Sequence, residues 1–155
     1  MSENQKFLLE HFKKELEVSK ELLTLLNKEE LILSHQDLPQ LPEITVLKNN
    51  LIQRFLQLKS SRQNQLLAYG LPKNESQIAI WIDQQNHLDL HQIWAELTNT
   101  LKSCQEVNQQ IGKMIQKLSA SNRAAIQVLE GQDPTQSIYG PGSDAGNISK
   151  FNVLG

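Results

Sequence analysis

Nine positions in the second half of the chain, Leu90, Trp94, Leu97, Leu101, Cys104, Asn108, Ile111, Ile115 and Leu118, follow one another at alternating steps of four and three residues. Only an α-helix gathers that period onto one stripe, because a strand would scatter the same residues over both faces. The pattern predicts a helix over about 88–130, near 65 Å long at 1.5 Å per residue. A 3.5-residue period also predicts a left-handed supercoil against neighbouring helices. Asn108 occupies a seam position, where a polar side chain fixes register at some cost in stability. Gly112 lies inside the same helix and weakens it by about 1 kcal/mol relative to alanine.

A rod of this length cannot hide its own stripe, so partner helices must come from elsewhere in the chain. Between Asn4 and Asn27, Leu9, Phe12, Leu16, Leu23 and Leu26 fall at the same steps, with Ser19 in the gap. Leu8, Val18, Leu22 and Leu25 widen that stripe toward a second neighbour. Prolines at 39 and 42 interrupt the chain and predict a turn over about 34–41. Pro42 suits a first helical turn, and Ile44, Leu47, Leu51, Phe55, Leu58 and Leu66 define a second helix to about Tyr69, stopped by Gly70 and Pro72. Asn74 followed by Gln77 resembles a capping box, and Ile78, Trp81 and Ile82 suit a short helical turn before the polar run Asp83 to His87.

The expected fold class is therefore all-α: an elongated antiparallel bundle of three long helices with coiled-coil-like packing, spanning residues 1–130. Residues 131–155 hold five of the seven glycines and too little apolar surface to order themselves, so a flexible C-terminal tail is expected there. Two short apolar groups within it, at 138–139 and 148–154, read as anchors on a tether.

Composition narrows the function by exclusion. Fifteen Lys and Arg against seventeen Asp and Glu leave a net charge of -2 with no basic stripe, which argues against a nucleic-acid surface. No apolar run approaches the roughly twenty residues of a membrane span, and the start MSENQKF has no apolar signal region. A cytoplasmic protein without membrane insertion is expected. Cys104 stands alone and cannot form an internal disulfide, and a buried seam position removes it as a nucleophile.

The remaining chemistry is sparse. Asp83, His87 and His91 would share one face of a continuous helix as a two-histidine, one-carboxylate set, but the segment breaks near residue 86 and no other carboxylate cluster completes the shell. No metal and no cofactor is expected. His11-Phe12-Lys13-Lys14 is similar to the start of histidine phosphotransfer domains, yet Glu15 stands where those domains place glycine, and its carboxylate would repel phosphate. Walker loops, nucleophile elbows and dinucleotide fingerprints are missing from the sequence, so it reads as a non-enzyme.

Surface beyond the reach of the first two helices, each near 25 residues, is what remains. The overhang of the last helix presents Ile111, Met114, Ile115, Leu118, Ala125, Ile126 and Leu129, a stripe suited to an amphipathic helix from another chain. Self-association into a homodimer would use the same stripe.

The order of these features resembles the FlgN-like flagellar export chaperones. The likeness rests on Leu33, Asp37 and Leu41, then Leu47-Lys48-Asn49-Asn50-Leu51-Ile52, then Arg62 and Leu66-Leu67 before Gly70. It continues through Asn108 with Ile111 and through Asn122-Arg123-Ala124-Ala125-Ile126-Gln127-Val128-Leu129, similar to the family's Asn-x-x-Ala-Leu-x-x-Leu run. Ile138-Tyr139-Gly140-Pro141-Gly142 looks like the family's Tyr-Gly-x-x-Gly signature with its second glycine one position early. The resemblance implies a small, non-enzymatic cytosolic chaperone. Such proteins bind hook-filament junction proteins through their terminal amphipathic helices, prevent premature assembly and deliver them to the type III export gate. It also implies client capture by the C-terminal part of the chain and docking at the cytosolic domain of the export gate through Tyr139. Two alternatives stay open at this point: a structural coiled-coil adaptor without a secretion role, and a phosphotransfer domain using His11.

Overall fold

Ser2 opens the first helix with a reciprocal capping box: its Oγ accepts from the Gln5 N–H at 3.2 Å, and the Gln5 Oε1 accepts from the Ser2 N–H at 2.9 Å. In the computed structural model, which describes residues 1–131, the helix that follows, α1 (Glu3–Ser34), is 32 residues long. A short 3-10 turn (Leu38–Gln40) leads into α2 (Leu41–Ala68), with Pro42 in its first turn. Then come the ten-residue α3 (Glu75–Gln84) and the 42-residue α4 (Leu88–Leu129). The described residues thus hold four α-helices, three long and one short, rather than three. The expected helical turn near Ile78 closes into a helix of its own because Asn74 accepts from the Ser76 N–H at 2.8 Å, and Ile78 and Ile82 are both fully buried. The expected flexible tail, beyond Gly131, lies outside the described residues.

Helix α1 ends seven residues later than its apolar periodicity suggests. Its stop is a Schellman turn in which Gln36 adopts φ 55, Gln36 N–H donates to Leu33 O at 3.1 Å and Asp37 N–H to Ile32 O at 3.0 Å. The stop falls inside the turn expected over about 34–41; what the apolar periodicity misses is the continuation of the helix from Asn27 to Ser34. The end of α2 uses glycine: Gly70 takes φ 71 while Leu71 N–H reaches back to Leu66 O at 2.8 Å.

The chain runs up along α1, down along α2, and crosses through α3 to run up again along α4. Helix α1 is the centre of this arrangement, since the backbones of α2 and α4 both pack on it and come nowhere within 8 Å of each other at Cα. Helices α1 and α4 run parallel: Phe12 meets Trp94 with ring centroids 5.0 Å apart, Cys104 Sγ lies 3.5 Å from Ser19 O, and Leu33 shares a groove with Leu118. Apolar burial along this pair supplies most of the core. Leu8, Phe12, Leu16, Leu90, Leu97 and Leu101 cluster with Phe55, Leu66, Ile78 and Ile82 at the α3 end, and Leu22, Leu26 and Leu33 cluster with Cys104 and Ile111 further along. Each fully buried side chain of this size is worth about 1.5–3 kcal/mol.

Contact between α1 and α2 has a different chemistry. The seam of α1 runs through Leu8, Phe12, Glu15, Ser19, Leu22, Leu26, Glu29 and Leu33, all buried and all at steps of four and three. That of α2 runs through Ile44, Lys48, Ile52, Phe55, Arg62 and Leu66. Arg62 Nε donates to Glu15 Oε2 at 2.8 Å and its Nη2 to Glu15 Oε1 at 3.1 Å, with a further bond from Nη2 to Glu75 Oε1 at 2.9 Å. The guanidinium also lies 5.1 Å over the Phe12 ring. Two heptads further along, Lys48 Nζ pairs with Glu29 Oε2 at 3.2 Å. The expected seams therefore need correction: Leu47 is exposed, and Leu9, Leu23, Leu51 and Leu58 sit half-buried on the flanks.

Burial pushes the Glu15 carboxyl above its ordinary range, and Arg62 pulls it only part of the way back. Burial also works against the charge of Arg62, but Glu15 and then Glu75 hold the guanidinium above its ordinary value. A pair of this kind adds little net stability while intact and is costly to break. Arg62→Ala, which strands the Glu15 carboxylate, should therefore lower unfolding free energy in urea by about 3–5 kcal/mol. Replacing both partners, as in Glu15→Leu with Arg62→Met, should recover most of that loss; a double variant as unstable as Arg62→Ala would refute this account. Burial likewise pushes the Cys104 thiol up from 9.0 to about 12. A raised value means that the thiol's contribution to stability is complete below about pH 9 and is lost as pH climbs toward 12. Thiol labelling at pH 8 should consequently be slow in native buffer and rapid in denaturant, and equal rates would show that the α1–α4 seam opens freely.

Candidate functional site

Helix α4 outruns its support. At 1.5 Å per residue its 42 residues extend about 63 Å against about 48 Å for the 32 of α1. The end of α1 reaches the level of Met114 to Ser121, where Leu33, Ser34 and Gln36 face Met114, Lys117, Leu118 and Ser121 across a groove of about 420 Å³. Beyond this level, Ile126, Val128 and Leu129 are 53%, 64% and 86% exposed. Ile126 and Leu129, three residues apart, share one side of the helix end and form a patch that water solvates poorly, while Val128 stands on another side.

The expected docking residues divide along this gradient. Ile111 is only 1% exposed and packs with Leu22, Leu26 and Leu33, so it belongs to the core and not to the uncovered stripe. The reason is register: with Cys104 at Ser19, Ile111 comes level with Leu26, inside the span already expected for α1, and the late stop adds cover only to Met114–Ser121. Met114 and Ile115 are half-buried against the same cluster, and Leu118 is half-buried in the groove wall. Ala125, Ile126 and Leu129 are exposed. Val128 and Leu33 join the surface without having been expected there. Leu33 could have been found by extending the α1 heptad through Glu29, and Val128 lies inside the Asn122–Leu129 run already noted. Tyr139 and the two apolar anchors of the tail lie outside the described residues.

Side chains with chemical potential elsewhere are committed to local structure. His87 caps α4, its Nδ1 accepting from the Leu90 N–H at 3.3 Å, and His91 Nε2 lies 2.6 Å from the carbonyl oxygen of Gln85. Both imidazoles of the Asp83–His87–His91 set are thereby turned to the backbone, and no group of three or more metal-ligating side chains gathers among the described residues. His11 stacks on Phe7 with centroids 4.5 Å apart and has its Nδ1 buried. Burial, then Lys14 and Arg62, lowers its pKa. A half-buried ring wedged beside an aromatic is poorly placed to receive phosphate from a partner. No helix of the described residues is long and apolar enough to cross a membrane.

Comparison with known proteins agrees with this geometry. In fold, the chain is similar to a crystal structure at 1.48 Å resolution of a protein from Pseudomonas aeruginosa assigned to flagella synthesis as FlgN. The TM-score is 0.64, with 20% sequence identity over 96% of this chain and 95% of that one. No curated protein matches the chain. The family model described as FlgN protein matches residues 1–146, nearly the full length, and the chain therefore belongs to the FlgN family.

Proposed function

We propose that this chain is a non-enzymatic cytoplasmic chaperone of flagellar type III export, binding hook-filament junction proteins through their terminal amphipathic helices. The observation that carries the reading is the bare end of α4: Ile126, Val128 and Leu129 stand beyond the reach of α1, next to a groove walled by Leu33, Met114 and Leu118. An unassembled junction protein exposes the apolar faces of its terminal helices and would aggregate unless they were covered. A helix laid along α4 would bury the two bare surfaces against each other. If about 1,000–1,500 Å² is buried at roughly 25 cal/mol per Å², ordering and lost rotational freedom offset much of the gain. The resulting affinity is moderate, which suits a client that must later be released. In the same reading Tyr139, carried by the segment after α4, docks at the cytosolic domain of the export gate.

Copurification of the full chain with a junction protein tests the proposal. Ile126→Asp with Leu129→Asp should reduce capture at least tenfold while leaving the thermal unfolding midpoint close to that of the parent, since neither side chain is in the core. His11→Ala should capture normally. Tyr139→Ala should retain the client and lose the gate. If the Ile126 and Leu129 changes instead dissolve a tight homodimer and no junction protein is captured by the parent chain, the adaptor reading replaces this one.

A further inference from the structure

The distal half of α4 reverses the charge balance of the molecule. From Val107 to Leu129 the sequence has no Asp or Glu, yet it carries Lys113, Lys117 and Arg123 in a chain whose net charge is -2. Lys113 and Lys117 are one helical turn apart and so project from the same side, bordering the Met114–Leu118 stripe along one flank. Both are exposed. Lys117 lines the groove directly, and the other polar residues around it, Ser34, Gln36 and Ser121, are uncharged. Neither lysine takes part in the salt bridges of the described residues, whereas Lys20 and Lys48 each have a glutamate partner. Compensation of the helix dipole does not account for their position, because that effect is confined to the last turn. The last turn of α4 holds no basic residue, and Lys117 lies more than three turns before its end.

We propose that the occupant of this groove is an acidic amphipathic helix, its apolar face seated between Leu33, Met114 and Leu118 and a pair of carboxylates one turn apart set against Lys113 and Lys117. This rests on the docking surface argued above and names the chemistry that surface selects. An apolar face in the groove brings the flanking residues of the incoming helix alongside the two lysines. Carboxylates gain attraction there, strengthened as water leaves the groove, whereas lysines or arginines on that flank are repelled. The concave site, walled by two helices, fits a cylinder. An anionic lipid surface, which also attracts lysines, would need a flat or convex apolar face.

Two designed helical peptides test this on the full chain by fluorescence anisotropy. They share one leucine face and differ only in carrying Glu or Lys on the flank. At low salt the acidic peptide should bind about three- to tenfold more tightly, the range expected of two exposed ion pairs, and the advantage should shrink as salt is raised. Lys113→Glu with Lys117→Glu should invert the preference while leaving the helical circular dichroism unchanged. Equal affinity for the two peptides, an unchanged preference in the double variant, or binding to vesicles containing phosphatidylserine in place of either peptide would overturn the proposal. Capture of a junction protein separates the two levels. If the parent chain ignores that client but selects the acidic peptide, the client assignment fails and the charge rule stands. If the client is captured equally by parent and double variant, the charge rule alone fails.

Discussion

Two buried ion pairs decide how this molecule can be assembled. Glu15 faces Arg62 and Glu29 faces Lys48, and the fourteen-residue spacing of the glutamates equals that of their partners. Antiparallel helices can satisfy both pairs at one register only. A slip of one heptad leaves the charges buried opposite apolar neighbours; the direction of α2 is set separately, by the short Leu38–Gln40 turn, since a parallel α2 would also bring each glutamate opposite a cation. Because burial raises the Glu15 pKa despite Arg62, the pair contributes discrimination more than stability, in keeping with the small or negative net worth of buried salt bridges. The stability comes from the α1–α4 seam, where a nearly continuous run of Leu, Phe, Cys and Ile is interrupted in α4 by Asn108 and in α1 by Ser19.

That division explains what could be read from the sequence and what could not. Helix α4 was legible to within a residue at either end because its seam is almost purely apolar and His87 and Gly131 bracket it. In α1 and α2, searching for apolar periodicity selects Leu9, Leu16 and Leu23 or Leu47, Leu51 and Leu58, since these are the leucines. The true seams pass through Glu15, Glu29, Lys48 and Arg62, which an apolar pattern reads as solvent-facing. A charged residue at a seam position becomes interpretable only when its opposite appears on the facing helix at the matching spacing, and that requires the pairing of the two helices to be known. The last turns of α1 were missed for a similar reason: its seam passes there through Glu29, which an apolar pattern reads as the end of the stripe.

The expected docking stripe shrinks for two reasons. With Cys104 at Ser19, Ile111 comes level with Leu26 and is core, and the extra turns of α1 to Ser34 partly cover Met114 to Leu118, so the bare region contracts to the last turns of α4. The charge of the candidate site was present in the sequence but missed, because the overall balance of -2 hides an acid-free stretch from Val107 to Leu129 with two lysines one turn apart. What the structure adds is the groove wall contributed by Leu33 and Gln36, which sets Lys117 at the edge of a concave apolar surface.

The fold also keeps recognition apart from register. The pairs that align α1 with α2 lie at Glu15, Glu29, Lys48 and Arg62, and the bare apolar end lies beyond Ser34 on α4, whose backbone α2 does not approach within 8 Å at Cα. A ligand seated along distal α4 can touch the tip of α1 without disturbing either buried pair. Binding energy is then not drawn into breaking the bundle, and a ligand can be released without unfolding it. Side chains from Ala125 to Leu129 contribute little to the core and are free to vary with the partner, whereas a change at Arg62 or Glu15 would act through the whole assembly. In the chaperone reading proposed above, a surface energetically decoupled from the scaffold would allow the strength of the grip to change while the bundle that presents it stays the same.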